Sequence, residues 1–252
     1  MTNIPVPWSK KHKQATKASS GGLKYSLSNS FAETLTSKEL LDLTKERGDD
    51  ELIEQYFNHS LEYTPNGGSS DLRVEISKLY GNGISADNIL VFPGAQLALQ
   101  TASQVLGGGH SITFSPGYQS VVHGPRHFGG GHVTHIQLRA DNGWQIVIKE
   151  VEAAIRDDTR YIVINQPYNP AGVLMSHEVQ TELRSIAAKN DIYILCDEVY
   201  RLLEHNPVDM LPTMADFYAK GLSVVTLSKV KTIVFRTSIF IILPFKIFCY
   251  SF

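Results

Sequence analysis

Residues 88–106 read NILVFPGAQLALQTASQVL, and this stretch indicates the type of fold. The apolar run at 88–92 has the length of a short strand, and Pro93-Gly94 follows it as a turn. Small and apolar side chains then recur at helical spacing as far as Leu106. The stretch therefore predicts a strand–turn–helix unit.

Further along the chain, other segments have the apolar, β-branched character of buried strands. They are SITF (111–114), VTHIQL (133–138), RYIVIN (160–165), DIYILC (191–196) and LSVVTL (222–227). HEVQTELRSIAAKN (177–190) has an apolar face at helical spacing. This alternation predicts an α/β fold with a mostly parallel sheet flanked by helices, in which ligands gather at the carboxyl ends of the strands.

The segment before residue 88 is predicted to contain helices. Thr36 and Glu39 have the spacing of a capping box, which predicts a short helix from residue 37. Residues 71–80 are helical in pattern and follow a turn-rich loop, YTPNGGSS (63–70). The first 32 residues carry five lysines and no acidic residue, which favours a flexible basic arm.

Composition and charge exclude several classes of protein. The chain has 252 residues, is 42% hydrophobic and 19% charged, and carries a net charge of -2, which gives no reason to expect a nucleic-acid partner. Two cysteines cannot form a disulfide framework, and no signal peptide is recognisable, so we expect a cytoplasmic protein. The longest apolar run of the tail, residues 239–245, is far short of the roughly 20 residues that span a membrane.

Two polar residues near predicted strand ends suggest a ligand site. Asn169, in INQPYNPAGV (164–173), could donate to an oxygen of a bound ring, although a proline-stiffened turn explains the same residues. Asp197, in ILCDEVYRLL (194–203), emerges from an apolar run and needs a partner, because burial of an unpaired carboxylate is costly. A protonated ring nitrogen would serve, and a helix N-cap is the alternative.

A lysine and a helix N-terminus add to this set. Lys229, in TLSKV (226–230), stands behind two hydroxyl side chains, and lysine amines condense with aldehydes; most isolated lysines are solvated surface residues. Gly94 opens the helix of the first unit, where backbone N–H groups attract phosphate. Tyr118 follows a strand end and is either a platform for a flat ring or a core aromatic.

In their order and spacing these elements resemble those of the pyridoxal-phosphate-dependent aminotransferases of class I/II, which have fold type I. The matching elements are Gly94-Ala95-Gln96, Pro116-Gly117-Tyr118, Asn165…Asn169-Pro170-Ala171-Gly172, Asp197-Glu198-Val199-Tyr200 and Thr226-Leu227-Ser228-Lys229. The resemblance runs from about residue 50 to Lys229. It implies a transferase that moves an amino group between an amino acid and a 2-oxo acid by means of pyridoxal 5'-phosphate.

The resemblance also implies a role for each matching residue. Lys229 would form the Schiff base with the cofactor and later act as general acid and base, and Asp197 would pair with the pyridine nitrogen. Asn169 and Tyr200 would hydrogen-bond the phenolic oxygen of the ring, and Tyr118 would stack on the ring. The phosphate would be held by these groups: the backbone N–H groups of Ala95 and Gln96, the hydroxyl of Thr226 or Ser228, and Tyr63 from the other subunit of a homodimer. No metal site is implied.

The chain departs from the family pattern after Lys229. The stretch VKTIVFRTS (230–238) has no glycine, and Arg236 falls one position short of the arginine that pairs with the phosphate. We expect three regions: an N-terminal arm and short helix (1–50), an incomplete cofactor-binding large domain (51–229) and an atypical hydrophobic tail (230–252). The small C-terminal domain, its substrate-carboxylate arginine and the last strands of the large domain are expected to be missing, which would leave an open sheet edge.

The departure leaves several hypotheses about the tail and the function. One is that the last 23 residues are translated intron or frameshifted sequence. The functional alternatives to an aminotransferase are a truncated, catalytically impaired relative that only binds cofactor or dimerises, and a lyase, decarboxylase or cyclase using the same cofactor. A dinucleotide-binding domain is disfavoured, because no G-x-G-x-x-G motif follows the first strand.

Overall fold

A computed structural model describes residues 35–81, 83–230 and 239–242. Its helices are α1 (Ser37–Glu46), α2 (Asp50–Asn58), α3 (Ser70–Ser77), α4 (Ala95–Leu106), α5 (Gln119–Val122), α6 (Gly124–Phe128), α7 (Ile148–Ala154), α8 (His177–Lys189), α9 (Met214–Phe217) and α10 (Leu227–Val230). Its strands are β1 (Ile89–Phe92), β2 (His110–Ser115), β3 (Val133–Gln137), β4 (Thr159–Asn165), β5 (Tyr193–Asp197), β6 (Gly221–Thr226) and β7 (Ile239–Ile242). Short 3₁₀ helices lie at Ala86–Asn88, Ala140–Asn142 and Pro207–Asp209.

The strands form one sheet in the order β1-β7-β6-β5-β4-β2-β3. All neighbouring pairs from β6 to β3 are parallel, whereas β7 is antiparallel to both of its neighbours. The predicted mostly parallel sheet is therefore confirmed, and each of the six predicted strands is present. Since β1 and β6 are both antiparallel to β7, they run in the same direction.

Strand β7 contradicts one expectation from the sequence. We expected the last strands of the large domain to be missing and the sheet edge to be open. Instead, four residues of the hydrophobic tail lie between β1 and β6 and pair with both. The expectation of an open edge beside β6 is therefore wrong.

Residues 231–238, which include Arg236, and residues 243–252 lie outside the described part of the chain, as does the N-terminal arm before residue 35. The region boundaries at residues 50 and 229 stay predictions.

Helices cover both faces of the sheet. Successive side chains of a strand point to opposite faces, and apolar side chains on each face are buried against helices. On one face Ile162, Ile194 and Cys196 pack with Leu183 of α8 and Val151 of α7. On the other face α4 contributes its buried side chains to a second cluster with strands β4, β5 and β6. That cluster consists of Ala98, Leu99, Ala102, Leu106, Val121, Tyr161, Val163, Leu195, Leu222 and Val224.

Local sequence signals explain the helix starts. The Thr36 side chain accepts from the Glu39 backbone N–H, and the Glu39 carboxylate accepts from the Thr36 backbone N–H, so the predicted capping box is confirmed. Ser176 caps α8 by accepting from the backbone N–H of Val179. Helices α2, α5, α6, α7, α9 and α10 were not predicted. Within the described ranges, none of the helices is long and apolar enough to cross a membrane.

Candidate active site

The polar residues predicted from the sequence meet at one edge of the sheet. Strands β1, β2, β4, β5 and β6 all end at this edge, since they run in the same direction. The edge carries Asn165 at the end of β4, Asp197 at the end of β5 and Thr226 at the end of β6. Alternation places these three residues on the face that α4 covers, together with Val163, Leu195 and Val224 of the same strands.

Asp197 is a buried carboxylate at the centre of this edge. It is 2% exposed, and its Oδ1 accepts from the backbone N–H of Val199 at 3.3 Å. Burial raises the pKa of Asp197 to about 7; the Val199 N–H and the Lys229 charge lower it, and the charge of Glu198 raises it further. The pKa nevertheless stays well above its ordinary value, because burial outweighs both the Val199 N–H and the charge of Lys229. Residues 199–202 form turns and no helix begins directly after Asp197, so the helix N-cap alternative is wrong.

Asn169 and Tyr200 contact each other beside Asp197. The Asn169 Nδ2 donates to the Tyr200 hydroxyl oxygen at 3.2 Å, which joins the loop after β4 to the loop after β5. The backbone N–H of Asn169 donates to Asn165 Oδ1 at 2.7 Å, and Asn165 Nδ2 donates to the Asp197 carbonyl at 2.8 Å. Asn165 thereby fixes the Asn169 loop to the strand that carries Asp197.

Lys229 lies in the short helix α10, directly after β6. Its Nζ stands 5.7 Å from the centroid of the Tyr200 ring, within the range of a cation–π contact. The residue is half-buried, and its charge acts on the pKa of Asp197. The structure therefore brings Lys229, Asp197, Tyr200 and Asn169 into one cluster, and the interpretation of Lys229 as an ordinary surface lysine is not supported.

Two sets of donors at the same edge suit an anion. Helix α4 begins with Ala95 after Gly94, whose φ of 114° is favoured only by glycine, and no side chain caps this helix. The first N–H groups of a helix have no partner within it, so those of Ala95 and Gln96 point outward from its start. On the far side of β7, the hydroxyl oxygens of Thr226 and Ser228 are 2.7 Å apart, and the Ser228 N–H donates to Thr226 Oγ1 at 3.0 Å.

Two predicted tyrosines are exposed. Tyr118 precedes α5 and is 37% exposed, and the hydroxyl of Tyr168 donates to the carbonyl of Pro116 in the same loop. That bond ties the Tyr118 loop to the loop that carries Asn169. Tyr63 is fully exposed in the loop between α2 and α3, so a contribution to the site of a neighbouring subunit stays a prediction.

Sequence reasoning missed a second buried carboxylate, which lies on the face of the sheet opposite to Asp197. Glu198 is 4% exposed, and its Oε1 accepts from the Met214 N–H at 2.7 Å and the Ser223 hydroxyl at 2.8 Å. Ser223 Oγ in turn accepts from the Ala215 N–H. Burial raises the pKa of Glu198. The available signal was the pair of adjacent carboxylates, Asp197-Glu198. Because successive side chains of an extended chain point to opposite faces of the sheet, only one of the two can point toward the site.

The fold and the site define a class of protein that solved structures share. A pyridoxal-phosphate-dependent aminotransferase from Streptococcus suis superimposes with a TM-score of 0.75 at 30% identity, over 85% of this chain and 56% of that chain. Aspartate aminotransferase from Thermus thermophilus superimposes with a TM-score of 0.70 at 23% identity, over 79% of this chain and 53% of that chain, which shows the shared fold. The sheet is that of the large domain of fold type I.

Sequence comparison identifies the family. The model of the family "Aminotransferase class I and II" matches residues 26–233, and the chain belongs to this pyridoxal-phosphate-dependent family. Aspartate aminotransferase from Sulfolobus acidocaldarius is 31% identical over 145 residues, which are 55% of this chain and 36% of that protein. Arginine–pyruvate transaminase from Pseudomonas aeruginosa is 30% identical over 165 residues, or 59% of this chain and 40% of that protein. The chain thus spans less than half the length of these relatives.

The residues at the sheet edge fit the cofactor of this family. The buried Asp197, whose pKa is raised by burial, suits a protonated pyridine nitrogen, because an adjacent positive charge stabilises a buried carboxylate. The start of α4 suits a phosphate, since no side chain caps its first N–H groups and the space beside Gly94, where a Cβ would stand, is empty within 4 Å. The described residues at this edge therefore offer groups that suit the ring nitrogen and the phosphate of pyridoxal phosphate.

Proposed function

We propose that this chain binds pyridoxal phosphate at the sheet edge and takes part in the transfer of an amino group from an amino acid to a 2-oxo acid. The observation that carries the proposal is the cluster of Lys229, Asp197, Asn169 and Tyr200, four residues drawn from three strand ends. When bound, the cofactor supplies an aldehyde and an electron sink for bond cleavage at the α-carbon of an amino acid.

The other residues of the site would bind the ring and the phosphate of the cofactor. The Asp197 carboxylate would hold the proton on the ring nitrogen, because a buried carboxylate is stabilised by an adjacent positive charge. The Tyr200 hydroxyl accepts from Asn169 and so directs its own proton to a further acceptor, for which the phenolic oxygen of the ring is suited. Tyr118 would cover the ring face, and the Thr226–Ser228 hydroxyls and the Ala95 and Gln96 amides would bind phosphate.

Lys229 would perform the proton transfers through its Nζ. An amine that alternates between the neutral and protonated forms can take a proton from carbon and return it elsewhere. Its Nζ lies over the Tyr200 ring, and its charge lowers the pKa of the Asp197 carboxylate. We further propose amino acids and 2-oxo acids as substrates and a homodimer as the working assembly, in which the exposed Tyr63 reaches the neighbouring site. Cytoplasmic localisation stays a prediction.

An absorbance spectrum tests the function. Purified protein mixed with pyridoxal phosphate should show a visible band of lysine-bound cofactor, and a mixture of amino acids should discharge it. Lys229→Ala should lack the band, whereas the control Lys189→Ala, at the exposed end of α8, should keep it. A band of equal strength in Lys229→Ala would refute the assignment. A band that amino acids never discharge would favour a relative that only binds cofactor, and product analysis separates transamination from lyase, decarboxylase or cyclase chemistry.

A further inference from the structure

Strand β7 separates the two strands that carry the phosphate-binding groups of the proposed site. Strand β1 leads into Gly94 and the start of α4, and β6 leads into Ser228. These two strands do not pair with each other: Phe92, the last residue of β1, and Thr226, the last residue of β6, both pair with Ile239. The first residue of β7 therefore stands between the two sets of donors.

The spacing of the strands determines how far apart these donors are. Neighbouring strands lie about 4.8 Å apart, so β7 keeps β1 and β6 roughly 10 Å from each other. Hydrogen-bond donors must come within about 3 Å of a phosphate oxygen, and donors on both sides can reach one phosphate only while that spacing holds. Without β7, β1 and β6 would either pair directly at half the distance or separate.

In the strand pairing of the sheet, β1 is connected to the other strands through β7. In the described part of the chain β1 lies at the edge of the sheet, and β7 is its one neighbouring strand. On its outer side β1 is contacted by a loop, in which the Gly67 carbonyl accepts from the Val91 N–H at 2.9 Å. A single backbone bond to a loop cannot replace a strand ladder, so β7 sets the distance from β6 to the end of β1, where α4 begins, while α4 also packs on the sheet through Ala98 and Leu99.

The groups proposed to bind the ring depend on other strands. Asn165 and Asp197 belong to β4 and β5, which pair with each other along five residues. Strand β5 also pairs with β6. These ladders do not include β7, so a change in β7 should affect the binding of the phosphate much more than the binding of the ring.

We propose that the tail segment Ile239–Ile242 is a positioning element of the phosphate site: it holds the start of α4 and the Thr226–Ser228 hydroxyls at the spacing that one phosphate requires. This inference rests on the proposed function and adds a role for a part of the chain that departs from the family pattern. It predicts that the tail contributes to cofactor affinity through the phosphate, although the segment lies outside the set of residues proposed to contact the cofactor.

The test compares a ligand with and without its phosphate. Pyridoxine 5'-phosphate and pyridoxine carry an alcohol in place of the aldehyde and do not condense with lysines, so their dissociation constants report non-covalent binding. Ile241→Pro removes a backbone N–H from the middle of a strand that has neighbours on both sides, a place where proline is not tolerated. Ile241→Val keeps the N–H and the β-branched side chain and serves as the control.

In the wild type and in Ile241→Val, we expect pyridoxine 5'-phosphate to bind at least tenfold more tightly than pyridoxine, because charge-assisted hydrogen bonds are the stronger kind. In Ile241→Pro this ratio should fall by roughly tenfold, while the dissociation constant of pyridoxine changes by less than about threefold. An unchanged ratio in Ile241→Pro overturns the inference. Equal weakening of both ligands also overturns it, because β7 would then act only on overall folding.

Two further measurements keep the outcomes distinct. If circular dichroism shows that Ile241→Pro does not fold, Ile241→Gly, which weakens a strand while keeping its N–H, is titrated in its place under the same criteria. A wild-type protein that binds neither compound refutes the proposed function and with it the inference. A wild-type protein with a large phosphate-dependent ratio that the β7 variants retain refutes the inference alone.

Discussion

Replacement of Asp197 by asparagine should stabilise the cofactor-free protein at neutral pH. The carboxylate is 2% exposed, and burial raises its pKa from an ordinary 3.8 to about 7. Asparagine has nearly the same shape and keeps an oxygen that can accept from the Val199 N–H, but it never ionises. The substitution therefore removes the cost of a buried charge with little change in packing.

The sign and size of the effect follow from the pKa difference. Because the pKa is raised in the folded state, the contribution of Asp197 to stability is fully present below pH 3.8 and is lost as the pH rises through about 7. A difference of one in pKa corresponds to 1.36 kcal/mol, so the loss above pH 7 is on the order of 4 kcal/mol. The free energy of unfolding of Asp197→Asn, relative to wild type, should rise over this range and then level off.

Urea unfolding at a series of pH values between 4 and 8.5 measures this difference directly. The control is Asp141→Asn, whose carboxylate is 80% exposed and whose substitution should shift the wild-type curve little at any pH. Saturating pyridoxal phosphate should shrink the pH dependence of the wild type, because a cationic partner lowers the pKa of Asp197. If the free energies of unfolding of wild type and Asp197→Asn, plotted against pH, stay parallel from pH 4 to 8.5, the argument is refuted. The hydrogen bonds and charges around this carboxylate would then offset the cost of burying its negative charge.

Two other substitutions test the supports of the site. Asn169→Ala removes the hydrogen bond to the Tyr200 hydroxyl, and it should weaken the binding of pyridoxine 5'-phosphate roughly 3- to 10-fold, which corresponds to the loss of one hydrogen bond. The melting temperature should change by no more than a few degrees. An unchanged affinity would show that Asn169 does not belong to the site. Gly68→Ala should lower the free energy of unfolding by roughly 2–4 kcal/mol, because φ is 97° and the new Cβ would stand 2.4 Å from Val91 Cγ2. Gly48→Ala, with a φ of 78° and open space around the new Cβ, should cost only about 1 kcal/mol, and equal costs at the two sites would refute the steric argument.

Much of the sheet could be predicted because buried parallel strands appear as short apolar runs. Strands β1 to β6 were all recognised in this way, whereas β7 was assigned to an atypical hydrophobic tail and an open sheet edge was expected in its place. The run IFII (239–242) has the same composition in either case. Its partners, Ile89–Phe92 and Ser223–Thr226, are set by register across the sheet, and no local pattern in the tail specifies them. Helices α5 and α6 were missed because four or five residues are too few to show a helical period.

The sequence by itself determined the chemistry available to this protein: a lysine behind two hydroxyls, a carboxylate in an apolar strand, and an asparagine in a proline-rich loop. These are local properties, and spacing along the chain was enough to predict the family, which the comparisons confirmed. Only the tertiary structure decided which atoms meet. Asn169 and Tyr200, 31 residues apart, come into contact because β4 and β5 are neighbours. Asp197, rather than Glu198, faces the site because strand alternation and the direction of the sheet assign one carboxylate to each face, a choice made by long-range packing.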